Sequence, residues 1–260
     1  MKNLGNPFME QIKNVIDKVP EKEVLCFTGG EPTLREEFFE ILKYAREKHP
    51  EKFLFVVSNG RRFASEEFTK KLADLNLGNF RLGIALYSHR ASIHDEITQA
   101  KGSWQEAVQG IKNLLKYGFN VELRILVEKL NYQEMEDFAR FIVENFKGLE
   151  RVVFINLKYT GNAFINRKRV FVRYSKAAPY VQKATDILLR RGFEVKLFHF
   201  PLCIIDRKYW PLAEGTTKQE SELTLLKKCE FCTVKERCPK IWKSYLPLAG
   251  TKEFNPVLRK

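Results

Sequence analysis

Two patterns of hydrophobic and polar residues alternate along most of the chain. Short runs rich in β-branched and aromatic residues, typical of buried strands, are each followed by a longer stretch with apolar residues at helical spacing. Strict alternation of strand and helix predicts parallel strands with right-handed crossovers, so we expect an α/β barrel or an open doubly wound sheet. The strand-like runs are 24–27, 53–57, 81–87, 121–127, 152–155 and 194–198, and the helix-like stretches are 8–18, 35–48, 65–75, 103–117, 132–146 and 175–191.

The pattern changes after Phe200, where strand–helix alternation stops. Proline, tryptophan and four of the five cysteines are concentrated in the remaining residues. We therefore predict two domains, an α/β domain over residues 1–198 and a small cysteine-rich extension over residues 199–260.

A glycine-rich turn follows the first strand-like run. It reads Thr28-Gly29-Gly30-Glu31-Pro32. Two glycines allow a tight turn and a close approach of the backbone to a ligand, and the proline fixes the exit toward a helix. In a parallel sheet, chemistry collects in the loops that follow the strands. The turn is thus a candidate for holding a zwitterion through backbone groups, although an ordinary strand-to-helix turn has the same composition.

Four cysteines in the extension have the spacing C-x25-C-x2-C-x5-C. They are Cys203, Cys229, Cys232 and Cys238. Thiolates two residues apart reach one metal centre, and two more complete a four-sulfur shell. An iron–sulfur cluster, a zinc ion and a pair of disulfides all remain open on spacing alone. The fifth cysteine, Cys26, lies in an apolar strand and is expected to be buried and structural.

The strand ends resemble those of the radical SAM superfamily at four places. Gly29-Gly30-Glu31-Pro32 matches the GGEP signature, and Ser58-Asn59-Gly60 matches the end of the family's third strand. Residues 84–88, continuing through 94–98 and 101–104, resemble the fourth-strand segment, and residues 121–127 with Asn131 resemble the fifth strand and its following helix. The resemblance covers roughly residues 8–160.

The resemblance implies a partial (β/α)6 barrel that binds S-adenosylmethionine (SAM) beside a [4Fe–4S] cluster. Carried over by position, the backbone of Gly29, Gly30, Glu31 and Pro32 meets the methionine amino group, with Ser58 or Asn59 nearby. Ser88 then meets the ribose or the carboxylate, and Arg124 pairs with the carboxylate. The family's reaction is reductive SAM cleavage, applied here to a peptide or small-molecule precursor, with a ferredoxin or flavodoxin as the electron donor.

One family feature has no counterpart in this chain. Radical SAM enzymes hold the catalytic cluster with a C-x3-C-x2-C loop after the first strand, and both that strand and that loop are expected to be missing. Three interpretations follow: an enzyme whose sequence begins further upstream, a non-catalytic relative acting as a binding or electron-transfer module, and a zinc-stabilised module that binds RNA. An unpaired first strand also exposes a sheet edge, which we expect residues 1–7 or self-association to cover.

The C-terminal spacing resembles the SPASM and Twitch extensions of the same superfamily. Its single C-x2-C-x5-C core matches the one-cluster, Twitch-like version better. The resemblance implies an auxiliary [4Fe–4S] cluster on the four cysteines, serving electron relay or structural support, with zinc as the alternative.

The distribution of charge and the lengths of the apolar runs indicate which kinds of partner to expect. The net charge of +13 is uneven, since residues 1–130 carry +2 and residues 131–260 carry +11. A solvated basic face explains this excess, and nucleic acid stays open as a ligand but is unsupported by any RNP-like or zinc-finger pattern. No apolar run is long enough to cross a bilayer, and the first residues lack a signal-peptide core, so we expect no membrane partner and a cytoplasmic protein.

Overall fold

The computed structural model describes residues 8–20, 23–215 and 220–258. The strands in chain order are β1 Leu25–Phe27, β2 Leu54–Ser58, β3 Phe80–Ala85, β4 Asn120–Val127, β5 Arg151–Asn156, β6 Glu194–Phe198, β7 Ala213–Glu214, β8 Leu223–Thr224 and β9 Ile241–Trp242. The α-helices are α1 Met9–Asp17, α2 Phe38–Lys48, α3 Glu66–Ala73, α4 Ala91–Thr98, α5 Ser103–Lys116, α6 Met135–Asn145, α7 Asn162–Ile165, α8 Arg167–Val170, α9 Tyr174–Arg190 and α10 Leu246–Ala249.

Strands β1 to β7 follow one another in chain order along a single sheet, and β8 and β9 form a separate antiparallel pair. The pairs β1–β2, β2–β3, β5–β6 and β6–β7 are parallel. The predicted α/β class is therefore confirmed. Within the described residues, no helix combines the length and apolarity that a membrane span requires.

The chain divides into two compact units. Unit 1 comprises the residues up to Leu86 together with Gly102–Leu123, and unit 2 comprises Tyr87–Lys101 and Arg124 onward. The predicted domain boundary at 198/199 remains a prediction. In unit 2, Tyr159 and Tyr174, before that boundary, share one buried cluster with Trp242, Tyr245 and Phe254 after it.

Unit 1 buries one face of each strand and the apolar stripe of each helix. In β2, Leu54, Val56 and Ser58 are buried while the intervening residues are partly exposed. Helix α5 lies so close to the loop after β2 that a side chain at Gly110 would collide with the carbonyl of Gly60. This packing fixes the position of the loop that carries Ser58 and Asn59.

Strand β1 lies at the end of the sheet, and its burial corrects one expectation. Leu25 is buried and Cys26 is exposed, so the interpretation of Cys26 as a buried structural cysteine is wrong. Successive side chains of a strand point to opposite faces of the sheet. In β1, the face that carries Leu25 is buried, and the face that carries Cys26 is exposed. The prediction that residues 1–7 cover this edge lies outside the described residues.

Candidate functional site

The glycine-rich turn follows β1 in unit 1. Gly29 has φ +104° and Gly30 has φ +54°, both in the left-handed region, and a Cβ atom built on either residue meets no atom within 4 Å. Pro32 then begins a 3-10 turn that ends at Leu34. Residues with side chains rarely adopt such φ values, so the glycines both permit this turn and leave its outer surface open to a ligand.

The Glu31 carboxylate holds the turn in place by accepting four hydrogen bonds. Its Oε1 accepts from the backbone N–H of Thr33 (3.2 Å), from Thr33 Oγ1 (2.7 Å) and from Ser58 Oγ (2.8 Å). Its Oε2 accepts from the backbone N–H of Asn59 (2.7 Å). The side chain therefore ties the turn after β1 to the loop after β2, and what remains for a ligand is the backbone of Gly29 to Glu31.

The loop after β2 is held from its own side as well. Ser58 Oγ accepts a hydrogen bond from the backbone N–H of Gly60 (3.0 Å), and Asn59 Oδ1 accepts one from the N–H of Arg61 (3.0 Å). The structure thus brings Glu31, Ser58 and Asn59 together, as their placement after neighbouring parallel strands suggests. The polar atoms of Ser58 serve mainly to build the turn, and direct contacts of Ser58 or Asn59 with SAM remain predictions.

The remaining predicted SAM residues, Ser88 and Arg124, belong to unit 2. Ser88 is buried, and its Oγ accepts a hydrogen bond from the backbone N–H of Arg90 (3.0 Å). The Arg124 guanidinium carbon lies 5.7 Å from the centre of the Phe198 ring, a cation–π distance. Their assignment to the ribose and the carboxylate of SAM remains a prediction.

Sequence reasoning gave no role to Glu128, the first residue after β4. Its side chain is 2% exposed, and within the described residues neither carboxyl oxygen has a hydrogen-bond partner. Burial, reinforced by the charge of Glu96, raises the pKa of Glu128 to about 8. A charged residue directly after an apolar strand was the available signal, but only the structure shows that it is buried without a partner.

The four cysteines of the extension line one pocket in unit 2. Cys203, Cys229, Cys232 and Cys238 share its wall with apolar groups such as Leu225 and Phe254, and with Lys235 and Asn255. Burial and the neighbouring thiols raise the pKa of Cys203 to about 11 and raise the pKa of Cys238. Over the described residues, no three His, Cys, Asp or Glu side chains are grouped as ligands of a single metal ion.

The pocket suits a cationic centre bound by sulfur. Backbone N–H groups of Asn255 and Cys203 favour the thiolate of Cys203, and those of Leu202 and Lys240 favour that of Cys238. Thiolates repel one another in an apolar pocket, and a metal centre removes this penalty because its positive charge favours deprotonated sulfur. N–H groups directed at sulfur are also the usual surroundings of iron–sulfur clusters. The four thiols therefore have the donor chemistry of an iron–sulfur cluster and equally of a zinc site, and either centre on them remains a prediction.

The chain belongs to the Radical SAM superfamily, whose sequence profile matches residues 5–142. A curated relative, the Fe-coproporphyrin III synthase of Methanosarcina barkeri (strain Fusaro / DSM 804), is 27% identical over 192 residues, which are 72% of this chain and 46% of that protein. The chain thus spans about half the length of this relative.

Solved structures share the fold. Native anSMEcpe with bound AdoMet and Kp18Cys peptide gives a TM-score of 0.56 at 18% identity, covering 74% of this chain and 56% of that chain. A domain of the pyruvate-formate lyase-activating enzyme from Bacteroides vulgatus ATCC 8482 gives a TM-score of 0.52 at 18% identity, covering 67% of this chain and 98% of that domain. The predicted partial TIM-like barrel is confirmed by this likeness.

Family membership implies SAM and an iron–sulfur cluster. The open backbone at Gly29 and Gly30 fits the amino acid part of SAM. The residues of this chain do not fit the catalytic cluster, because Cys26 is the single cysteine among the first 200 residues and three thiolates are needed.

Proposed function

We propose that this chain is the SAM-binding part of a radical SAM enzyme that modifies a carboxylate-bearing small molecule and carries an auxiliary [4Fe–4S] cluster in a Twitch-like extension. The observation that carries the SAM assignment is the open glycine turn fixed by Glu31. In the whole enzyme, one electron from a catalytic cluster outside the thiolates of this chain would cleave the S–C5′ bond of bound SAM, giving methionine and a carbon-centred radical that abstracts hydrogen from the substrate. The chain's own residues hold SAM through the backbone of Gly29 to Glu31 and hold that backbone in one conformation.

The substrate class rests on similarity and charge. The Methanosarcina relative is a Fe-coproporphyrin III synthase, and coproporphyrin carries four carboxylate side chains, while residues 131–260 of this chain have a net charge of +11. Positive charge near a binding site raises the local concentration of an anion and its association rate. A peptide substrate is the alternative, since the anSMEcpe structure that shares this fold contains a bound peptide. A ferredoxin or flavodoxin as electron donor is part of the proposal, as is a cytoplasmic location.

A second candidate function is favoured by the single cysteine among the first 200 residues. A relative without a catalytic cluster keeps the SAM-binding turn and the metal centre and acts as a binding or electron-transfer module. Both functions share SAM binding and the metal centre, and they differ in whether the whole protein cleaves SAM.

The SAM assignment is tested with two glycine variants of matched strain. Gly30 has φ +54° and Gly78, in the turn before β3, has φ +63°, and a Cβ atom on either meets nothing within 4 Å. An alanine at either position costs about 1 kcal/mol of stability, because the backbone there is left-handed. Calorimetric titration with SAM should show binding weakened about tenfold or more in Gly30→Ala, since only that methyl group enters the ligand's space.

Gly78→Ala serves as the control for backbone strain and should bind SAM like the wild-type chain. Equal SAM affinity in Gly30→Ala and Gly78→Ala contradicts the assignment of the turn. An unaltered wild-type chain that binds no SAM contradicts the proposed function as a whole.

The auxiliary cluster is tested with a matched pair of cysteine variants. After anaerobic reconstitution, we expect about four iron and four sulfide per wild-type chain, because one set of four thiolates ligates one [4Fe–4S] cluster. Cys229→Ser should lose most of this iron, together with the paramagnetic resonance signal of the reduced cluster. Cys26→Ser should keep both, because Cys26 is exposed and lies in unit 1.

About one zinc per chain without sulfide would show that the pocket holds a structural zinc ion and not a cluster. Iron retained in Cys229→Ser, or lost in Cys26→Ser, would contradict the assignment of the four-cysteine pocket. The two metals give different stoichiometry and only iron gives the resonance signal, so one set of samples separates them.

A further inference from the structure

The backbone around Glu128 is firmly fixed. Asn131 Oδ1 accepts a hydrogen bond from the Glu128 N–H (2.9 Å), while its Nδ2 donates to the carbonyls of Tyr87 and Leu126 (2.8 Å each). Asn131 is itself buried. These hydrogen bonds of Asn131 fix the backbone from which the Glu128 side chain extends, as a binding or reacting group requires.

The carboxyl group of Glu128 contrasts with this well-bonded backbone. Its side chain is 2% exposed, and among the described residues no donor forms a hydrogen bond to either oxygen. The backbone N–H of Leu130 is near enough to favour the carboxylate form weakly, but its geometry falls short of a hydrogen bond. Buried polar groups without partners are rare in folded proteins, and each calls for a bound water, an ion or a ligand.

The charged and titratable groups facing Glu128 come from every neighbouring element of unit 2. They are Tyr87 after β3, Glu96 in α4, Tyr159 after β5 and Arg169 in α8. Glu96 and Arg169 form an ion pair with an N–O distance of 2.9 Å, so their effects on Glu128 largely offset each other. Burial is the largest cause of the raised pKa, about 8, and the group is therefore mostly a neutral acid at pH 7.

A neutral carboxyl group has one O–H donor, which a carbonyl or carboxylate oxygen accepts. A cation would instead require the charged form of Glu128, which burial disfavours, and the positive charge of Arg169 already acts on this carboxyl group. The surroundings thus favour an anionic or carbonyl-bearing ligand over an amine or a metal ion.

We propose that Glu128 is a substrate-binding residue that, as a neutral acid, donates a hydrogen bond to a carboxylate oxygen of the substrate. This inference deepens the proposed function and rests on its carboxylate-bearing substrate. A carboxyl group with a proton also discriminates by pH, because its ionised form has no donor and repels the substrate's carboxylate.

The pH dependence follows from the direction of the shift. Below about pH 8 Glu128 keeps its proton and binds; above it the donor is lost, so affinity falls about tenfold between pH 7 and pH 9. Arginine keeps its charge over this range, and the pKa values of Tyr87 and Tyr159 are raised above their ordinary value of 10. Carboxylates of a substrate titrate well below pH 7.

The test uses iron coproporphyrin III as the probe and follows its absorbance during titration into the 260-residue chain at pH 7, 8 and 9. We expect wild-type affinity to fall about tenfold from pH 7 to pH 9. Glu128→Gln, which keeps a neutral donor, should stay within about twofold of the wild-type affinity at pH 7 and bind independently of pH apart from any titration of the probe. Glu128→Ala should bind about tenfold more weakly at pH 7.

Glu144→Gln, on the exposed face of α6, is the control for loss of a carboxyl group and should follow the wild-type profile. Wild-type affinity that matches Glu128→Ala at pH 7, or that parallels Glu128→Gln between pH 7 and pH 9, overturns the inference. Absence of porphyrin binding by the wild-type chain also overturns it. SAM binding, measured on the same sample, then shows whether the proposed SAM function stands without this substrate. Circular dichroism of each variant confirms folding, and Glu128→Gln keeps the shape of the side chain should Glu128→Ala unfold.

Discussion

Two glutamates that follow strands of the same sheet have opposite surroundings. Glu31, after β1 in unit 1, accepts four hydrogen bonds from Thr33, Ser58 and Asn59. Glu128, after β4 in unit 2, is almost fully buried, and in the described part of the chain no hydrogen bond reaches its carboxyl oxygens. One residue type therefore stabilises the fold at one strand end and costs stability at another.

The difference separates two ways of building a site. At the glycine turn, the carboxylate positions a backbone that a ligand contacts, and its hydrogen bonds are complete before any ligand arrives. At Glu128, the hydrogen-bonding capacity is left over and becomes useful only when a ligand supplies the partner. Functional sites commonly retain such unfavourable groups, so replacing Glu128 by a neutral donor should raise stability at high pH while leaving binding at pH 7 nearly unchanged.

The largest expected effect in this comparison is a gain in stability on Glu128→Gln at high pH. Because the pKa of Glu128 is raised to about 8, the folded state keeps a proton that the unfolded state releases near its ordinary value of 4.5. Wild-type stability therefore declines as pH rises from about 4.5 to about 8 and levels off above it. Removing this penalty should raise the free energy of unfolding by about 1 kcal/mol at pH 5 and about 5 kcal/mol at pH 9.

Urea titrations at pH 5, 7 and 9 measure this effect. Exposed Glu144→Gln is the control and should change the free energy of unfolding by less than about 0.5 kcal/mol at each pH. A Glu128→Gln stability profile that runs parallel to that of the wild-type chain would show that Glu128 is not held neutral in the fold.

Periodicity predicted the barrel elements well because their packing depends on repeated apolar positions. The predicted run 194–198 coincides with β6, while α2 begins at Phe38 rather than 35 because Pro32–Leu34 form a separate 3-10 turn. The short helices α4, α7 and α8 had no predicted counterpart. They have four to eight residues, too few turns for an apolar stripe to repeat.

Some features of the candidate site could be predicted from local sequence motifs, and others depend on long-range packing. Local motifs indicated the glycine turn and the four cysteines, and the structure places the four thiols around one pocket. The exposure of Cys26 depends on its strand lying at the sheet's end, and the isolation of Glu128 depends on α4, β5 and α8 around it. Neither property is encoded within a few residues, so no pattern around Cys26 or Glu128 reveals it.

The smaller effect in the comparison is a loss of stability on Glu31→Gln. The amide nitrogen of the new side chain replaces an oxygen, so a donor must face either the N–H of Asn59 or the donors from Thr33 and Ser58. A lost charge-assisted hydrogen bond and an unpaired donor together cost about 3 kcal/mol. Urea titration measures this loss, and the calorimetric SAM titration should show weaker binding because the glycine turn is no longer held.

Glu37→Gln is the matched control, because Glu37 is a partly exposed neighbour in sequence whose carboxylate pairs with Arg35 (3.1 Å). A surface ion pair contributes about 0.5 kcal/mol, so this variant should unfold and bind SAM almost as the wild-type chain does. Equal losses in the two variants would mean that Glu31 acts merely as one more surface charge, and the contrast with Glu128 would disappear. Opposite signs for Glu31→Gln and Glu128→Gln would instead establish that hydrogen-bond partners, and not residue type, decide what each carboxyl group contributes.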